Sequence, residues 1–420
     1  MMPALASVER RYRVAIVAAC PFPALQGSQL LIRRLAEGLR DRGHDPVVVT
    51  YAEGLEDDAR SDTRVQRIPR LPGLRARGSG PRAAKLVLDA ALLLRLLDVI
   101  RRESVEVMHA HNYEAALVGL AARHLTGVPL IYHSHNALAE ELPTYFRSRT
   151  ARRVARAVGA LADREVPRRA DHCIAICREL VGFLRARGVD EEAIEVIAPG
   201  GSPEEFPACS TADAATIRAR FGFGERPLLL YTGNLDGYQN LELLLASIGI
   251  VRRAIGDAML VLATHATPRR LPRHLRRLPP GVRLVTADDF AAVRDLIQVA
   301  DLALCPRREW SGFPMKLLNY MAAAKAVVVS AGSAKAVRHD VNGVVVDVDG
   351  PEAYAAAIVG LLRDPARRRL LGIAARRTVE DEYGWGRVID QVEATYATVL
   401  RRRAVGVAPA PAHPFGILEA

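Results

Sequence analysis

Short apolar runs alternate with amphipathic stretches along almost the whole chain. Residues 13–19 form a continuous apolar run typical of a buried strand, the spacing of apolar residues over 28–42 predicts a helix, and 46–51 predicts a second strand. The same pattern predicts further strands at 105–109, 130–133, 172–176, 194–197, 228–232, 258–264, 302–305, 326–330 and 343–346. Continuous apolar strands separated by helices predict parallel sheets covered by helices on both faces, an α/β fold.

A small, polar segment at 207–215 interrupts the alternation and is interpreted as a linker. We therefore predict two doubly wound domains, at 1–206 and 207–385, then a helix at 386–402 and a flexible tail at 403–420. Ligands of such domains bind beyond the carboxyl ends of the strands, so the expected site is the cleft between the domains.

Composition narrows the class of protein. The chain has 420 residues, of which 50% are hydrophobic and 25% charged, which excludes a fibrous or wholly disordered protein. The formal net charge of +11 favours an anionic partner, such as a phosphorylated small molecule, an acidic membrane or a nucleic acid. Aromatic residues make up only 5% and no basic motif interleaved with aromatic residues is present, so nucleic acid is the weakest of these.

Cysteine usage and hydropathy indicate a compartment. The five cysteines are scattered and lack C-x-x-C spacing, which favours a reducing interior over a disulfide framework or a structural zinc site. No signal peptide is evident at the N-terminus. The most apolar helical stretch, 85–100, contains Asp89, Arg95 and Asp98, and so is not expected to span a bilayer. We expect a cytoplasmic protein.

Glycine and acidic motifs give weaker signals. Gly27 and Ser28 open the first helix, where free N–H groups favour an anion, although a plain turn with Ser28 as N-cap fits equally well. The G-x-G-x-x-G dinucleotide fingerprint is absent. The 73–79 segment lacks the lysine of a phosphate loop and is interpreted as a flexible loop, and Asp349 is interpreted as a helix cap rather than part of a metal-binding D-x-D motif.

Two pairs of histidines stand at the ends of predicted strands. His109 and His111 form one pair, and His133 and His135 form the other. Alternation places each pair on one face, so zinc is conceivable, but no carboxylate or cysteine ligand accompanies them at a telling spacing. A polar site or a core position is the favoured interpretation.

The richest stretch follows the strand at 302–305. Ser311 and Pro314 predict the start of a helix, and Lys316 and Asn319 lie three residues apart on one face of it. An ammonium group and an amide beside a helix N-terminus suit a diphosphate and a hydroxyl, although a solvated lysine on an ordinary helix remains an alternative.

The 147–169 segment carries eight arginines against Asp163 and Glu165. Helical spacing interleaves these arginines with Val154, Ala157, Val158 and Leu161. Such a face fits an anionic membrane surface, and it also fits an ordinary solvated helix.

Taken in order, these motifs resemble the retaining nucleotide-sugar glycosyltransferases of family 4, which have the GT-B fold. The resemblance covers roughly residues 13–400. It rests on Gln26-Gly27-Ser28, Arg42-Gly43-His44, the two histidine pairs, Val196–Gly201, Tyr231–Leu235, Ser311–Val328 and Gly384-Trp385.

The resemblance implies a donor site and a chemistry. It implies donor-binding roles for Gly27, Ser28, Gly233, Asn234, Gln239, Ser311, Gly312, Phe313, Pro314 and Asn319. It implies that His135 is the histidine beside the reacting sugar, that Lys316 stabilises the leaving diphosphate without a metal ion or other cofactor, and that transfer retains configuration. The implied partners are a nucleotide sugar and a cell-envelope, glycolipid or polysaccharide acceptor.

This chain departs from the family pattern at the donor site. Asn234 and Gln239 stand where many members have arginine and lysine, and Ser311 and Asn319 stand where the Glu-x7-Glu motif has its glutamates. Gly200 replaces the usual asparagine, and Ala324 replaces the usual glycine. The neutral replacements leave two alternatives to a transferase: a nucleotide-binding scaffold without catalysis, and a sugar epimerase of the same fold.

Overall fold

The computed structural model describes residues 10–23, 27–54, 63–74, 82–265, 275, 277–287, 289–308, 310–347 and 350–405. The chain divides into two compact units. The first comprises the described residues up to Ile197, apart from Gly27, together with those from Ile389 onward; the second comprises Gly27 and Ala198–Val388. Residues 198–206 thus belong to the second unit, whereas the sequence-based boundary lay at 206.

The first unit contains a parallel sheet of seven strands in the order β3-β2-β1-β4-β5-β6-β7. Its strands are β1 Arg13–Ala18, β2 Asp45–Thr50, β3 Val65–Arg67, β4 Val107–His111, β5 Leu130–Ser134, β6 His172–Ala175 and β7 Ile194–Val196. Strands β1 and β2 are buried at five of their six positions, which explains their largely apolar sequences.

Helices connect these strands. They are α1 Gly27–Asp41, α2 Ala83–Glu103, α3 Asn112–Thr126, the short α4 Leu138–Glu141, α5 Arg149–Arg169 and α6 Glu179–Arg185. The described part of the chain holds no helix with both the length and the hydropathy needed to cross a bilayer.

The second unit contains a parallel sheet of six strands in the order β10-β9-β8-β11-β12-β13. Its strands are β8 Leu228–Thr232, β9 Met259–Thr264, β10 Val282–Thr286, β11 Leu302–Cys305, β12 Val327–Ser330 and β13 Val344–Val346. Its helices are α7 Thr211–Phe221, α8 Leu241–Ile255, α9 Phe290–Val299, α10 Met315–Ala322, α11 Pro351–Arg363 and α12 Pro365–Glu382. Helix α13, Trp385–Ala404, begins here and continues into residues of the first unit.

Three local predictions are wrong. The segment 207–215 is not wholly a linker, because α7 begins at Thr211, where the Ser210 hydroxyl accepts a hydrogen bond from the N–H of Asp213 at 3.1 Å. Strand β4 reaches His111, two residues beyond the predicted end. Strands β3 and β10 were not predicted, since Val65–Arg67 is short and half-buried and β10 alternates polar with apolar residues.

Each sheet has a point where successive connections turn in opposite directions. It lies between β1 and β4 in the first sheet and between β8 and β11 in the second. Ligands of open α/β sheets bind beyond the carboxyl ends of the strands at such a switch point. A ligand is therefore expected beside the loops after β8 and β11 in the second sheet and beside the ends of β1 and β4 in the first.

Candidate active site

The loop after β8 and the first turn of α10 come together in the second unit. The Lys316 Nζ lies 3.1 Å from the Gln239 Oε1 and 3.8 Å from the centroid of the Tyr231 ring. Gly233 adopts φ +122°, and a β carbon there would lie 3.0 Å from the same Nζ. Glycine therefore keeps space beside the amine. The structure thus brings together three residues assigned from sequence to the donor site, Gly233, Asn234 and Gln239. Beside them lies Lys316, which was assigned from sequence to catalysis.

Asn234 and Gln239 are hydrogen-bonded to each other. The Gln239 Nε2 donates to the Asn234 Oδ1 at 2.9 Å, and the Asn234 Nδ2 donates to the Tyr238 hydroxyl at 2.7 Å. The Tyr231 hydroxyl donates to the Asn234 carbonyl at 2.6 Å. This amide network holds the lysine amine from one side.

Sequence reasoning missed Tyr231 and Tyr238 as parts of this network. Tyr231 lies on β8 and is fully buried, so its pattern was indistinguishable from that of a core residue. The Arg307 guanidinium lies 5.2 Å from the Tyr238 ring centroid, a cation–π contact that fixes the outer edge of the network. No signal in the sequence places these rings beside the lysine.

Backbone contacts fix the segment between β11 and α10. Arg307 donates to the Ser311 carbonyl, the Ser333 hydroxyl donates to the Arg307 carbonyl at 2.6 Å, and the Lys335 Nζ donates to the Trp310 carbonyl at 2.5 Å. Ser311 is buried at 3% exposure. The expectation that Ser311 caps the helix is wrong, because α10 begins at Met315, with Pro314 in the cap position.

Burial gives Lys316 unusual acid–base properties. Desolvation, assisted by the Arg307 charge, lowers the pKa of Lys316 to about 7. The charge of the amine is therefore sensitive to pH near neutrality. A nearby diphosphate favours the charged form, since opposite charges within a few ångströms stabilise each other.

Asn319 lies one turn after Lys316 on α10 and is half-buried. Among the described residues its side-chain amide has no hydrogen-bond partner, so it is free to bind a ligand. The next residue, Tyr320, contacts the last residue of β8, because its hydroxyl accepts a hydrogen bond from the N–H of Thr232 at 2.7 Å. Gly312, Phe313 and Pro314 are buried in the turn before α10.

The glycine at position 200 has a packing reason. A β carbon on Gly200 would lie 2.5 Å from the Trp385 ring. A residue with a side chain therefore does not fit at this position unless the indole moves.

Ala324, by contrast, is strained. It follows the end of α10 with φ +54°, and its N–H donates to the Met321 carbonyl at 2.9 Å. This left-handed conformation costs an alanine about 1–2 kcal/mol, whereas glycine adopts it freely.

Replacement of Ala324 by glycine is expected to raise the free energy of unfolding by about 0.5–1 kcal/mol, after allowance for the greater freedom of glycine in the unfolded chain. Urea unfolding monitored by circular dichroism measures this change. Ala323→Gly is the matched control, because Ala323 has φ −79° and should lose about 0.5–1 kcal/mol. Equal losses in the two variants would contradict the strain at position 324.

The two histidine pairs form one cluster in the first unit. Strands β4 and β5 place His111 directly opposite His133. The His109 Nε2 lies 3.1 Å from the His133 Nδ1, and the His111 Nδ1 lies 3.1 Å from the His135 Nε2. The Tyr396 hydroxyl lies 2.8 Å from the His109 Nδ1. His109, His111 and His133 are buried, whereas His135 is half-buried.

Burial keeps these rings uncharged. It lowers the pKa of His109 to about 3 and that of His135 to about 4, and it holds the pKa values of His111 and His133 well below 6.5. His135 is thus a neutral imidazole at pH 7, able to donate or accept one hydrogen bond on each nitrogen.

Gly27 is the first residue of α1, and Ser28 follows it within the helix, so Ser28 is not the N-cap. Its hydroxyl contacts the Gln29 Oε1 at 3.2 Å. Gly350 occupies the cap position of α11. Gln26, Asp349 and most of the 73–79 loop lie outside the described residues.

Helix α5 matches the predicted basic segment. Val154, Val158 and Leu161 are 54–61% exposed, and Arg152, Arg153 and Arg156 are also exposed. Asp163 does not offset this charge at the surface, because it is fully buried and accepts hydrogen bonds from the N–H groups of Leu138 and Ala139, each at 2.9 Å. The exposed face is apolar and basic.

Comparison with known proteins identifies the family. A glycosyl transferase 4-like domain matches residues 26–200, and a glycosyl transferases group 1 domain matches residues 226–364. A D-inositol 3-phosphate glycosyltransferase from Geodermatophilus obscurus is 30% identical over 320 residues, which cover 71% of this chain and 68% of the relative. The chain belongs to the GT4-like glycosyltransferases.

Further relatives support this assignment. A phosphatidyl-myo-inositol mannosyltransferase from Mycobacterium tuberculosis is 25% identical, with 92% of this chain and 97% of the relative covered. Sucrose-phosphate synthase from Thermosynechococcus elongatus matches with a TM-score of 0.77 at 20% identity, over 95% of this chain and 100% of that one. Anabaena HepE in complex with UDP and glucose matches with a TM-score of 0.72 at 18% identity, over 92% and 100%. This glycosyltransferase thus has the GT-B fold that the motifs predicted.

Proposed function

We propose that this glycosyltransferase transfers a sugar from a nucleoside diphosphate to a cell-envelope, glycolipid or polysaccharide acceptor, with retention of configuration. The observation that carries the proposal is the Lys316 amine, which lies beside Gly233 and Gln239 at the switch point of the second sheet. The HepE complex with UDP and glucose and the inositol-directed relatives support the donor and acceptor classes.

Transfer of the sugar requires positive charge beside the leaving diphosphate. As the bond between sugar and phosphate breaks, negative charge grows on the diphosphate oxygens, and preorganised donors there lower the barrier. In this proposal Lys316 supplies the charge, the N–H groups at the start of α10 supply further donors, and no metal ion is needed at the diphosphate. Asn319, whose amide is free, hydrogen-bonds a ribose hydroxyl in place of the family's glutamate.

His135 acts as a positioning group in this scheme. A neutral imidazole held at 3.1 Å by His111 can hydrogen-bond a sugar hydroxyl but is a poor proton donor at pH 7, since its pKa is lowered to about 4. The attacking hydroxyl then loses its proton to the departing diphosphate on the same face of the sugar. The glycosidic bond forms as the sugar–phosphate bond breaks, so the products balance as a glycoside and a free nucleoside diphosphate.

The test is a donor screen. UDP-, GDP- and ADP-sugars are incubated with lipid and sugar acceptors, and products are detected by mass spectrometry and assigned by NMR for anomeric configuration. A glycoside of retained configuration together with released nucleoside diphosphate is the expected result. An inverted product would contradict the mechanism.

The neutral donor-site residues favour a second candidate, a scaffold that binds nucleotide without catalysis. Calorimetry with the same nucleotides separates the two, because binding without any product would support the scaffold. An epimerase would instead release an altered sugar or nucleotide sugar in the absence of acceptor.

The exposed face of α5 suits contact with an anionic membrane. Three exposed arginines, Arg152, Arg153 and Arg156, flank Val154 and Val158, which combines charge attraction with apolar insertion. Contact through this face of α5 would bring the enzyme to a lipid-linked acceptor in the membrane.

Replacement of Arg152, Arg153 and Arg156 by glutamine is expected to weaken binding to vesicles containing anionic lipid about 100-fold, at roughly 1 kcal/mol for each arginine. Co-sedimentation at increasing salt measures it, and wild-type binding should fall steeply as salt rises. The matched control replaces Arg253, Arg369 and Arg377, which are exposed on the second unit. Equal binding by both triple variants would remove the role of α5.

A further inference from the structure

The histidine cluster in the first unit has more nitrogen ligands than its hydrogen bonds use. One ligand atom from each of His109, His111 and His133 lies within 4.8 Å of the others. The Nε2 atoms of His111 and His133 are buried and have no hydrogen-bond partner among the described residues. A buried polar atom without a partner costs about 1–3 kcal/mol, so the unpartnered Nε2 of His111, in a cluster of imidazoles, indicates a missing ligand.

We propose that this cluster binds one divalent transition-metal ion, with Zn²⁺ the expected ion, through His109, His111 and His133. The inference does not rest on the proposed transfer reaction, which uses no metal at the diphosphate. It takes up the zinc interpretation that spacing alone did not favour, because the structure joins the two pairs into one site.

The distances suit such an ion. Zn²⁺ binds imidazole nitrogen at about 2.0–2.1 Å in a tetrahedron, which sets neighbouring ligand atoms roughly 3.3 Å apart. The His109 Nε2 and the His133 Nδ1 are 3.1 Å apart, close to this spacing, and one ligand atom from each of the three histidines lies within 4.8 Å of the other two. Three protein ligands leave the fourth position to water.

Outer contacts orient two of the rings. The Tyr396 hydroxyl engages the His109 Nδ1 at 2.8 Å, and the His135 Nε2 engages the His111 Nδ1 at 3.1 Å. Each contact occupies one ring nitrogen and leaves the Nε2 for the metal, as the outer shell of a histidine-ligated metal does. The donor set also selects the ion, because three imidazoles suit Zn²⁺, Co²⁺, Ni²⁺ or Cu²⁺ rather than Mg²⁺ or Ca²⁺.

The ion would join two neighbouring strands. His109 and His111 lie at the carboxyl end of β4, and His133 lies on β5. Bound metal would therefore tie these strand ends together and, through His111, set the orientation of His135.

The experiment uses the full chain without an affinity tag, dialysed against a chelator and then titrated with Zn²⁺ by calorimetry. One ion per chain, confirmed by elemental analysis after gel filtration, is the expected result. Co²⁺ should give the visible bands of a tetrahedral nitrogen site, and the zinc X-ray absorption edge should fit a shell of about three imidazoles without sulfur.

Variants locate the ion. His111→Gln and His133→Gln should each bind Zn²⁺ at least about 100-fold more weakly, since even loss of an outer-shell partner costs 10–100-fold. His172→Gln is the control, because His172 is buried on β6 outside the cluster. Absence of a stoichiometric ion in the wild type, a sulfur-containing shell, or undiminished binding by both cluster variants would overturn the proposal. The wild-type spectra decide the matter even if a variant fails to fold.

Discussion

Replacement of Lys316 by methionine is expected to lower kcat/KM for sugar transfer by about 10²–10³-fold, the usual cost of removing one donor to developing negative charge. Methionine retains much of the apolar stem and removes the ammonium group. Steady-state kinetics with the donor found in the screen measure the loss. Near-normal turnover would contradict the role of Lys316 at the diphosphate.

A stability measurement distinguishes this loss of activity from unfolding of the variant. Because burial lowers the pKa of Lys316 to about 7 from 10.5, the charged amine is destabilised in the folded state, and the cost is fully present below pH 7 and relieved as pH rises toward 10.5. Lys316→Met should therefore be at least as stable as the wild type at pH 7. Lys325→Met is the matched control, because the Lys325 Nζ is bound to the Gln298 carbonyl at 2.6 Å, away from Gly233, and its loss should spare turnover.

The same pKa gives the reaction a pH signature. Only the protonated amine carries the charge, so kcat/KM, which reports the free enzyme, should fall as pH rises through about 7. The fall should disappear in Lys316→Met.

Acid is expected to reduce stability steeply. Burial lowers the pKa values of five histidines, His109, His111, His133, His135 and His172. Below pH 6.5 the unfolded chain therefore binds protons that the folded chain does not bind. Stability is then full above pH 6.5 and is lost as pH falls. We expect a loss of about 5 kcal/mol between pH 6 and pH 5, at roughly 1 kcal/mol for each of the five histidines, measured by urea unfolding with a chelator present.

One variant measures how much a single histidine contributes to this dependence of stability on pH. His172→Gln removes one of the five groups and should reduce the slope by about 1 kcal/mol per pH unit. His124, which is exposed on α3, is the control, and His124→Gln should leave the slope unchanged. A wild-type slope near zero over this range would show that the cluster is already charged in the folded protein.

The fold was largely predictable because buried parallel strands have continuous apolar sequences. The predicted ends of β11 are those observed, Leu302 and Cys305. Prediction failed where local pattern carries less information. Val65–Arg67 is only three residues long, and the polar segment before α7 concealed the capping serine at 210.

The candidate site was less predictable. Lys316 and Gly233 follow from motif order, and the structure brings them together. Hydrogen bonding between Asn234 and Gln239 could not be inferred, because it depends on how the loop folds back over Tyr238. The joining of the two histidine pairs likewise depends on the register between β4 and β5, which spacing within each strand does not specify.

The position of Trp310 has a practical consequence. The chain has two tryptophans. One is Trp385, which packs over Gly200. The other, Trp310, immediately precedes Ser311, and its backbone carbonyl accepts a hydrogen bond from the Lys335 amine. Intrinsic fluorescence of a Trp385→Phe protein would then come from a single indole adjoining the segment that carries Lys316. Nucleotide titrations could be followed by emission alone, with no dye and no coupled assay.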